Sequence, residues 1–334
     1  MTLHVETAGQ LMAIHACCDA LDTIAKSRGE AALIYLDPRF GTGKRFYLSD
    51  PTTEDGNGEI AYDDPCGDQV GRLTRARELA DACLSALANT GTVVIHTDIN
   101  CGHTYRIACD EVFDPTTFRG EIFVRSGWRD AAPRPQIAHS ITPTHNTLLI
   151  YSRDPLQSLK ITSRDQRLAG TTTVADTVWT DIDVRGRSTV YPTEKSRALA
   201  ERLVEWLTNR GELVIEPFAG SGTVSRTALS LGRRVLLGDT SDAAAVPSGF
   251  GILSELWRLD LSGTLELPVT SMNSLDSTHA ENNLASVVMV NKVGVVTDVK
   301  LGTQALEPRN GSQVRRSIAI TKKSPFFIED RDEK

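Results

Sequence analysis

Short, almost unbroken apolar runs alternate with stretches of helical period along this chain, and that alternation constrains the fold most. AALIYLD (31–37), GTVVIHTD (91–98), HNTLLIYS (145–152), ELVIEPF (212–218) and RRVLLGD (233–239) suit strands buried on both faces of a parallel sheet, and EIFVRSGW (121–128) adds a further strand. Helices are expected at 7–27, where Leu11, Ile14, Cys18, Leu21 and Ala25 recur at helical spacing before Gly29. Others are expected at about 72–89 and 101–113, at 194–209 (capped by Thr193, closed by Gly211), and from a Gly-rich turn to about 231. Strands alternating with helices predict a doubly wound α/β sheet over residues 1–245. The polar stretch 49–71 reads as a long loop, and 153–190 as a loop or small subdomain. Beyond 245 the texture changes, and LELPVTS, ASVVMVNKVGVVT and SIAITKK predict a small β-rich appendage over 246–334.

A chain of 334 residues can bury one large core or a domain and a half. Its 40% hydrophobic and 24% charged residues exclude disorder, collagen and coiled coil. No apolar run approaches the ~18 residues of a membrane span, and the N-terminus lacks a signal-peptide layout, so the cytoplasm is expected, with no membrane partner. The six cysteines all fall in the first third without a CxxC pair, as expected of reduced, packing thiols. Cys101, His103 and Cys109 lack a second close pair, so no metal site is expected. A net charge of −7 excludes a strongly basic nucleic-acid binder, but not a DNA enzyme with basic groups along one cleft. Residues 125–210 carry 13 Lys/Arg against 9 Asp/Glu, whereas 49–70 hold seven acids and no Lys or Arg.

The strongest local signal is Glu216-Pro-Phe-Ala-Gly-Ser-Gly-Thr223, a strand running through a glycine turn into a helix. Gly220 and Gly222 let the backbone approach a ligand, and the helix N-terminus would offer free amide donors. Asp239 ends the next strand, where a carboxylate can accept hydrogen bonds from the two hydroxyls of a ribose. The second signal is Asp37-Pro-Arg-Phe40 at the carboxyl end of another apolar strand. Open α/β sheets bind ligands at that edge, so both motifs are expected to face one crevice. An acceptor pair from Asp37 and the Pro38 carbonyl, beside the flat face of Phe40, suits an exocyclic amino group on a planar base.

Together these motifs resemble the amino-group DNA methyltransferases, specifically their permuted β group, in which the catalytic motif precedes the cofactor motif. YLDPRFGTGKRF is similar to the family's Asp-Pro-Pro-Tyr/Phe segment, with Arg39 for the second proline and Gly41 for a following asparagine. Residues 96–128, HNTLLIYSRD (145–154), TVYPTEKSRAL (189–199) and EPFAGSGT resemble further family segments in one consistent order over about 31–240. The resemblance implies a Rossmann-like fold and S-adenosyl-L-methionine as methyl donor, held by Thr193, Lys195, Glu216, Phe218, Gly220, Ser221, Gly222, Thr223 and Asp239. It implies a base flipped from double-stranded DNA, stacked on Phe40 and held by Asp37 and Pro38, with no covalent enzyme intermediate. An Asp at the first motif position favours adenine N6; cytosine N4 is the alternative. The resemblance also implies a homodimer, and leaves open a cognate restriction endonuclease.

Arg39 departs from the pattern by restoring a free N–H and a mobile φ. Either it reaches a DNA phosphate and the enzyme is active, or the chain is a weakened, DNA-binding regulatory subunit. Lys44, Arg153, Arg164, Arg167, Arg185 and Arg187 are the other candidate DNA contacts, with 153–190 as the target-recognition segment. Lys300, Arg309, Arg315, Arg316, Lys322 and Lys323 make the appendage a candidate second contact. The acidic stretch 49–70 is expected to be a solvated loop.

Overall fold

The computed structural model describes residues 2–7, 10–17, 19–49, 52–53, 57–126, 143–156, 159, 177–186, 191–241, 244, 286–290, 296–304 and 315–320. The N-terminal part forms β1 (Thr2–Thr7), β2 (Gln10–Cys17), α1 (Ala20–Ile24), β3 (Ala31–Leu36), β4 (Lys44–Ser49) and β5 (Asn57–Asp64). Then come α2 (Gln69–Ala86), β6 (Leu87–Thr97), α3 (Gly102–Phe113), β7 (Phe118–Arg125), β8 (His145–Ser152) and β9 (Val178–Asp183). The glycine-loop half is α4 (Arg197–Leu207), β10 (Leu213–Glu216), α5 (Thr223–Ser230) and β11 (Arg234–Asp239). Among the described residues, nine strands make one mixed sheet in the order β1-β2-β11-β10-β3-β6-β8-β7-β9. Its centre, β2-β11-β10-β3-β6, is parallel throughout. This is the expected α/β, Rossmann-like arrangement.

The apolar runs are unbroken because both sheet faces are covered. Leu33 and Tyr35 of β3 pack with α4 and α5, while Ala31, Ile34 and Leu36 pack with α1, α2 and α3. From β3 the chain moves through α2 to β6, and from β10 through α5 to β11 on the other side. The two halves therefore diverge at the β3–β10 boundary, where strand order reverses and a crevice opens.

Several expectations are corrected. Residues 7–27 are not one helix: 10–17 form β2, which adds to β11 with Ala13–Cys17 opposite Val235–Asp239, and helix survives only in α1. Tertiary pairing overrides the helical spacing there, because a helix would leave the edge of β11 unpaired. Residues 49–71 are not one loop either. β4 and β5 form an antiparallel hairpin, its cross-strand Phe46–Tyr62 rings stacked 4.7 Å apart, and α2 already starts at Gln69 on an Asp68 cap. Ser196, not Thr193, caps α4 through the Leu199 amide. Within 153–190, β9 adds to β7. β12 (Ser286–Val290), β13 (Val296–Gln304) and β14 (Arg315–Ile320) form a separate antiparallel sheet, while LELPVTS lies outside the described residues.

Gly91 sits where β6 crosses β3 with a register shift, and a Cβ there would lie 2.4 Å from the Ala31 carbonyl oxygen. Backbone cannot move aside as a side chain can. Gly91→Ala should lower stability by about 1–3 kcal/mol, read as a reduced urea midpoint at unchanged m-value.

Candidate active site

A cleft of about 570 Å³ opens at the carboxyl edge of the parallel strands, and Asp37, Pro38, Arg39, Phe40, Thr193, Lys195, Phe218, Gly220 and Asp239 all line it. Two motifs far apart in sequence thus share one cavity, within the ~300–1,000 Å³ range of cofactor sites. The register explains it. β10 pairs in parallel with β3, Ile215 opposite Ile34, so both strands deliver their following loops to the same rim.

Asp37 leaves β3 with its side chain 19% exposed. Its Oδ2 is ion-paired with Lys195 Nζ, while Oδ1 is buried without a hydrogen-bond partner. Asp37 lines the cleft, and its orphaned buried oxygen is an acceptor lacking its donor. Burial pushes the Asp37 carboxyl above its ordinary range; the Lys195 ammonium opposes that rise and Asp239 adds to it. Phe40 lies beside the buried His96, ring centroids 6.1 Å apart. His96 in turn meets Tyr35 Oη at 2.5 Å and Asn146 Nδ2 at 2.8 Å. Burial, with the Lys195 charge, depresses His96 far below the usual histidine range, so it is a neutral prop for Phe40.

On the opposite wall, Gly220 (φ +50°) donates its amide to Asp239 Oδ2 at 2.9 Å, and Ser241 N–H reaches Oδ1 at 2.9 Å. The Thr240 amide is a further backbone donor to this carboxylate. A Cβ on Gly220 would sit 3.0 Å from Tyr191 Cε1, so glycine keeps this passage open. Thr193 adopts φ +60°, a strained backbone for a β-branched residue, at the lip of the cleft. Tyr62 donates to or accepts from Thr193 Oγ1 at 3.0 Å and stacks with Tyr191.

The rest of the glycine motif stands behind this surface. Glu216 is 4% exposed and accepts the Val224 and Ser225 amides at 3.4 and 2.8 Å. Those first-turn donors of α5, expected to be free for a ligand, are therefore occupied. Gly222 (φ +73°) caps α5, and the buried Ser221 and Thr223 hydroxyls meet at 2.9 Å. Glu216, Ser221, Gly222 and Thr223 shape the turn without lining the cleft.

The candidate DNA contacts are dispersed. The Arg39 guanidinium lies at the mouth, 5.9 Å over the Tyr62 ring, and Lys44 is exposed at the start of the adjoining hairpin. Arg153 is committed elsewhere: its guanidinium donates to the Leu84 and Leu87 carbonyls at 3.1 and 2.6 Å. β8 runs antiparallel to β6, so its carboxyl end lies at the rim opposite the cleft. Arg185 is exposed beside the Arg185–Lys195 bridge. Arg164, Arg167 and Arg187 lie outside the described residues. Tyr62, Asp64, Tyr191 and His96 escaped the sequence reading. The first two had a signal: RFYLS and EIAYDD flank a turn-rich Asp-Pro…Asp-Gly-Asn-Gly stretch, which is hairpin chemistry.

Burial raises the Glu216 carboxyl to about 7, against its ordinary value of 4.5. A carboxyl raised on folding binds its proton more tightly in the native state, so stability falls as pH rises from the unfolded pKa through about 7. Glu216→Gln should flatten that fall, and melting temperatures of the two proteins between pH 4.5 and 7.5 will show it. Parallel curves would contradict the assignment.

Residues 31–246 match the sequence profile of the DNA methylase family, of the N6/N4 type. The fold is similar to that of the cytosine-N4-specific PvuII DNA methyltransferase, at 16% identity over 75% of this chain and 93% of that one, with a TM-score of 0.53. It is also similar to M1.HpyAVI in its SAM complex (15% identity, 72% and 99% covered, TM-score 0.47). The Thermus thermophilus protein TTHA0409, complexed with S-adenosyl-L-methionine, aligns at 20% identity over 72% and 94%, TM-score 0.48. With most of the chain matched by the family profile, and with both motif loops inside the matched region, this protein belongs to the DNA methylase family.

Proposed function

We propose that this chain methylates the exocyclic N6 of an adenine flipped out of duplex DNA, with S-adenosyl-L-methionine as donor, in the permuted β-group arrangement. The observation that carries this reading is Asp37, which lines the same cleft as Gly220 and Asp239 and holds one buried carboxylate oxygen without a partner. The donor supplies an electrophilic sulfonium methyl. Asp239 accepts from its ribose hydroxyls, and Thr193 and Phe218 complete that side.

The remaining side serves the base. Flipping costs a few kcal/mol, and Phe40, braced by neutral His96, offers the stacking face. Asp37 Oδ1 and the Pro38 carbonyl accept the two amino hydrogens, which turns the nitrogen lone pair out of conjugation. The nitrogen would take the methyl as the donor's sulfur–methyl bond breaks, a neutral thioether would leave, and Asp37 would accept the amino proton and pass it to solvent. Lys195 belongs with this chemistry through its ion pair. Burial pushes the Asp37 carboxyl toward its protonated form, and the Lys195 ammonium opposes that push in favour of the anion. Catalysis is positioning plus electrostatics.

Arg39, exposed at the mouth, and Lys44, exposed at the start of the adjoining hairpin, meet the duplex phosphates. The locally positive 153–190 segment is the target-recognition piece, and residues 246–334 form an accessory domain with further DNA contacts. The family resemblance carries the homodimer, and a cognate restriction endonuclease as companion. No helix among the described residues is long and apolar enough to cross a membrane, and work on DNA suits a cytoplasmic chain.

Incubation with labelled S-adenosyl-L-methionine and mixed-sequence duplex DNA tests the reading. Wild type should label DNA, and Asp37→Ala should lose roughly 10²–10³-fold in single-turnover rate while still binding the donor. Nucleoside digestion should return N6-methyladenine. N4-methylcytosine would overturn the base assignment alone; absence of donor binding, or full transfer by Asp37→Ala, would overturn the mechanism.

A further inference from the structure

The Asp37–Gly43 loop must present its acceptors rigidly, yet it lacks the second proline that would freeze its backbone. Arg39 is not one of the positive-φ residues, and it has none of the ring's restraint. Another restraint is built in, and it comes from the acidic stretch that reads in sequence as a solvated loop. Asp64, last residue of β5, is 3% exposed. Its Oδ1 accepts the Gly41 amide at 2.8 Å, and its Oδ2 accepts the Thr42 amide at 2.9 Å and the Thr42 hydroxyl at 2.6 Å. Its main-chain carbonyl accepts the Gly43 amide at 2.8 Å. One residue thus satisfies the donors of three consecutive loop positions, directly after Phe40. Hydrogen bonds to a buried carboxylate are the strong kind.

The loop is shaped for this grip. Gly41 and Gly43 take φ of +71° and +72°, and a Cβ on Gly41 would lie 2.8 Å from Arg72 Nη1, which itself donates to the Cys66 carbonyl at 2.8 Å. Two residues before Asp64 on the same strand, Tyr62 contacts Thr193 and lies under Arg39. β5 therefore ties the Asp37 loop to the wall carrying Thr193.

We propose that Asp64 is a positioning residue for methyl transfer, holding the Asp37–Gly43 loop by hydrogen bonds where related enzymes hold it with a second proline ring. The assignment rests on the methyltransferase reading above. It predicts a specific dependence between two positions: a proline at 39 should matter most when Asp64 is gone.

Asp64→Ala, Arg39→Pro and the double variant test this in the full chain, with single-turnover methyl transfer, donor affinity and deuterium uptake of the 38–43 peptide measured together. Asp64→Ala should slow transfer roughly 10²-fold with donor Kd changed less than about twofold, and should speed uptake at 39–43. Arg39→Pro should then raise the rate at least about tenfold more in the Asp64→Ala background than in wild type, and restore slow uptake. Asp64→Asn, which keeps one acceptor oxygen, should fall between, and it carries the test if the alanine variant does not fold. Equal effects of Arg39→Pro in both backgrounds, or loss of donor binding alongside rate, would overturn the proposal. Should wild type transfer no methyl group, the functional reading fails, and deuterium uptake alone decides the clamp: loosening reversed by Arg39→Pro supports it, and unchanged uptake overturns it.

Discussion

The parallel pairing of β10 with β3 is the constraint on which the rest of this molecule depends. Leu33 and Ile34 register against Val214 and Ile215, and every functional feature follows from having those two strands side by side. Each strand ends within a few residues of its motif, so the aspartate loop and the glycine loop emerge on one rim. The chain then leaves the pair in opposite directions, and no connection fills the space between them. A crevice at such a reversal is a consequence of topology, and side chains then specialise it.

That crevice concentrates acid. Asp37, Glu216 and Asp239 all end strands or follow them at one edge, and burial pushes each carboxyl upward. The protein handles them differently. Glu216 is spent on the amides of α5, which fixes the glycine turn from behind. Asp239 accepts the Gly220 and Ser241 amides and lines the cleft. Asp37 pairs on one oxygen with Lys195 and leaves the other without a partner. Glu216 and Asp239 are thus both tied to backbone amides, Glu216 behind the cleft and Asp239 in its wall, while Asp37 has only Lys195.

Much of this was legible in the sequence. Ala31–Leu36 and Leu148–Tyr151 read as strand because burial on both faces leaves no polar interruption. The Asp37 and Gly220 motifs read as one site because chemistry at strand carboxyl ends needs few neighbours to be recognised. Residues 10–17 misled because their apolar spacing suits a helix, while the unpaired edge of β11 recruits them as a strand. The acidic 49–70 stretch misled for a related reason. A run of carboxylates has no period, so nothing local distinguishes Asp64, which turns inward to three backbone and hydroxyl donors, from Asp63, which faces solvent and pairs with Arg45 at 2.6 Å. Lys195, expected at the cofactor, lines the cleft, and the fold also sets it against Asp37, which its sequence neighbours did not show.

By itself the sequence determined the α/β alternation, the strands β3, β6, β10 and β11, and the two motifs, because these depend on side chains within a few residues of one another. Tertiary structure decided which carboxylates keep a free oxygen, where Lys195 and Asp64 spend their charges, and which arginines reach the cleft. Those outcomes depend on partners brought together only by sheet register, and burial sets their strength, so no local pattern could carry them.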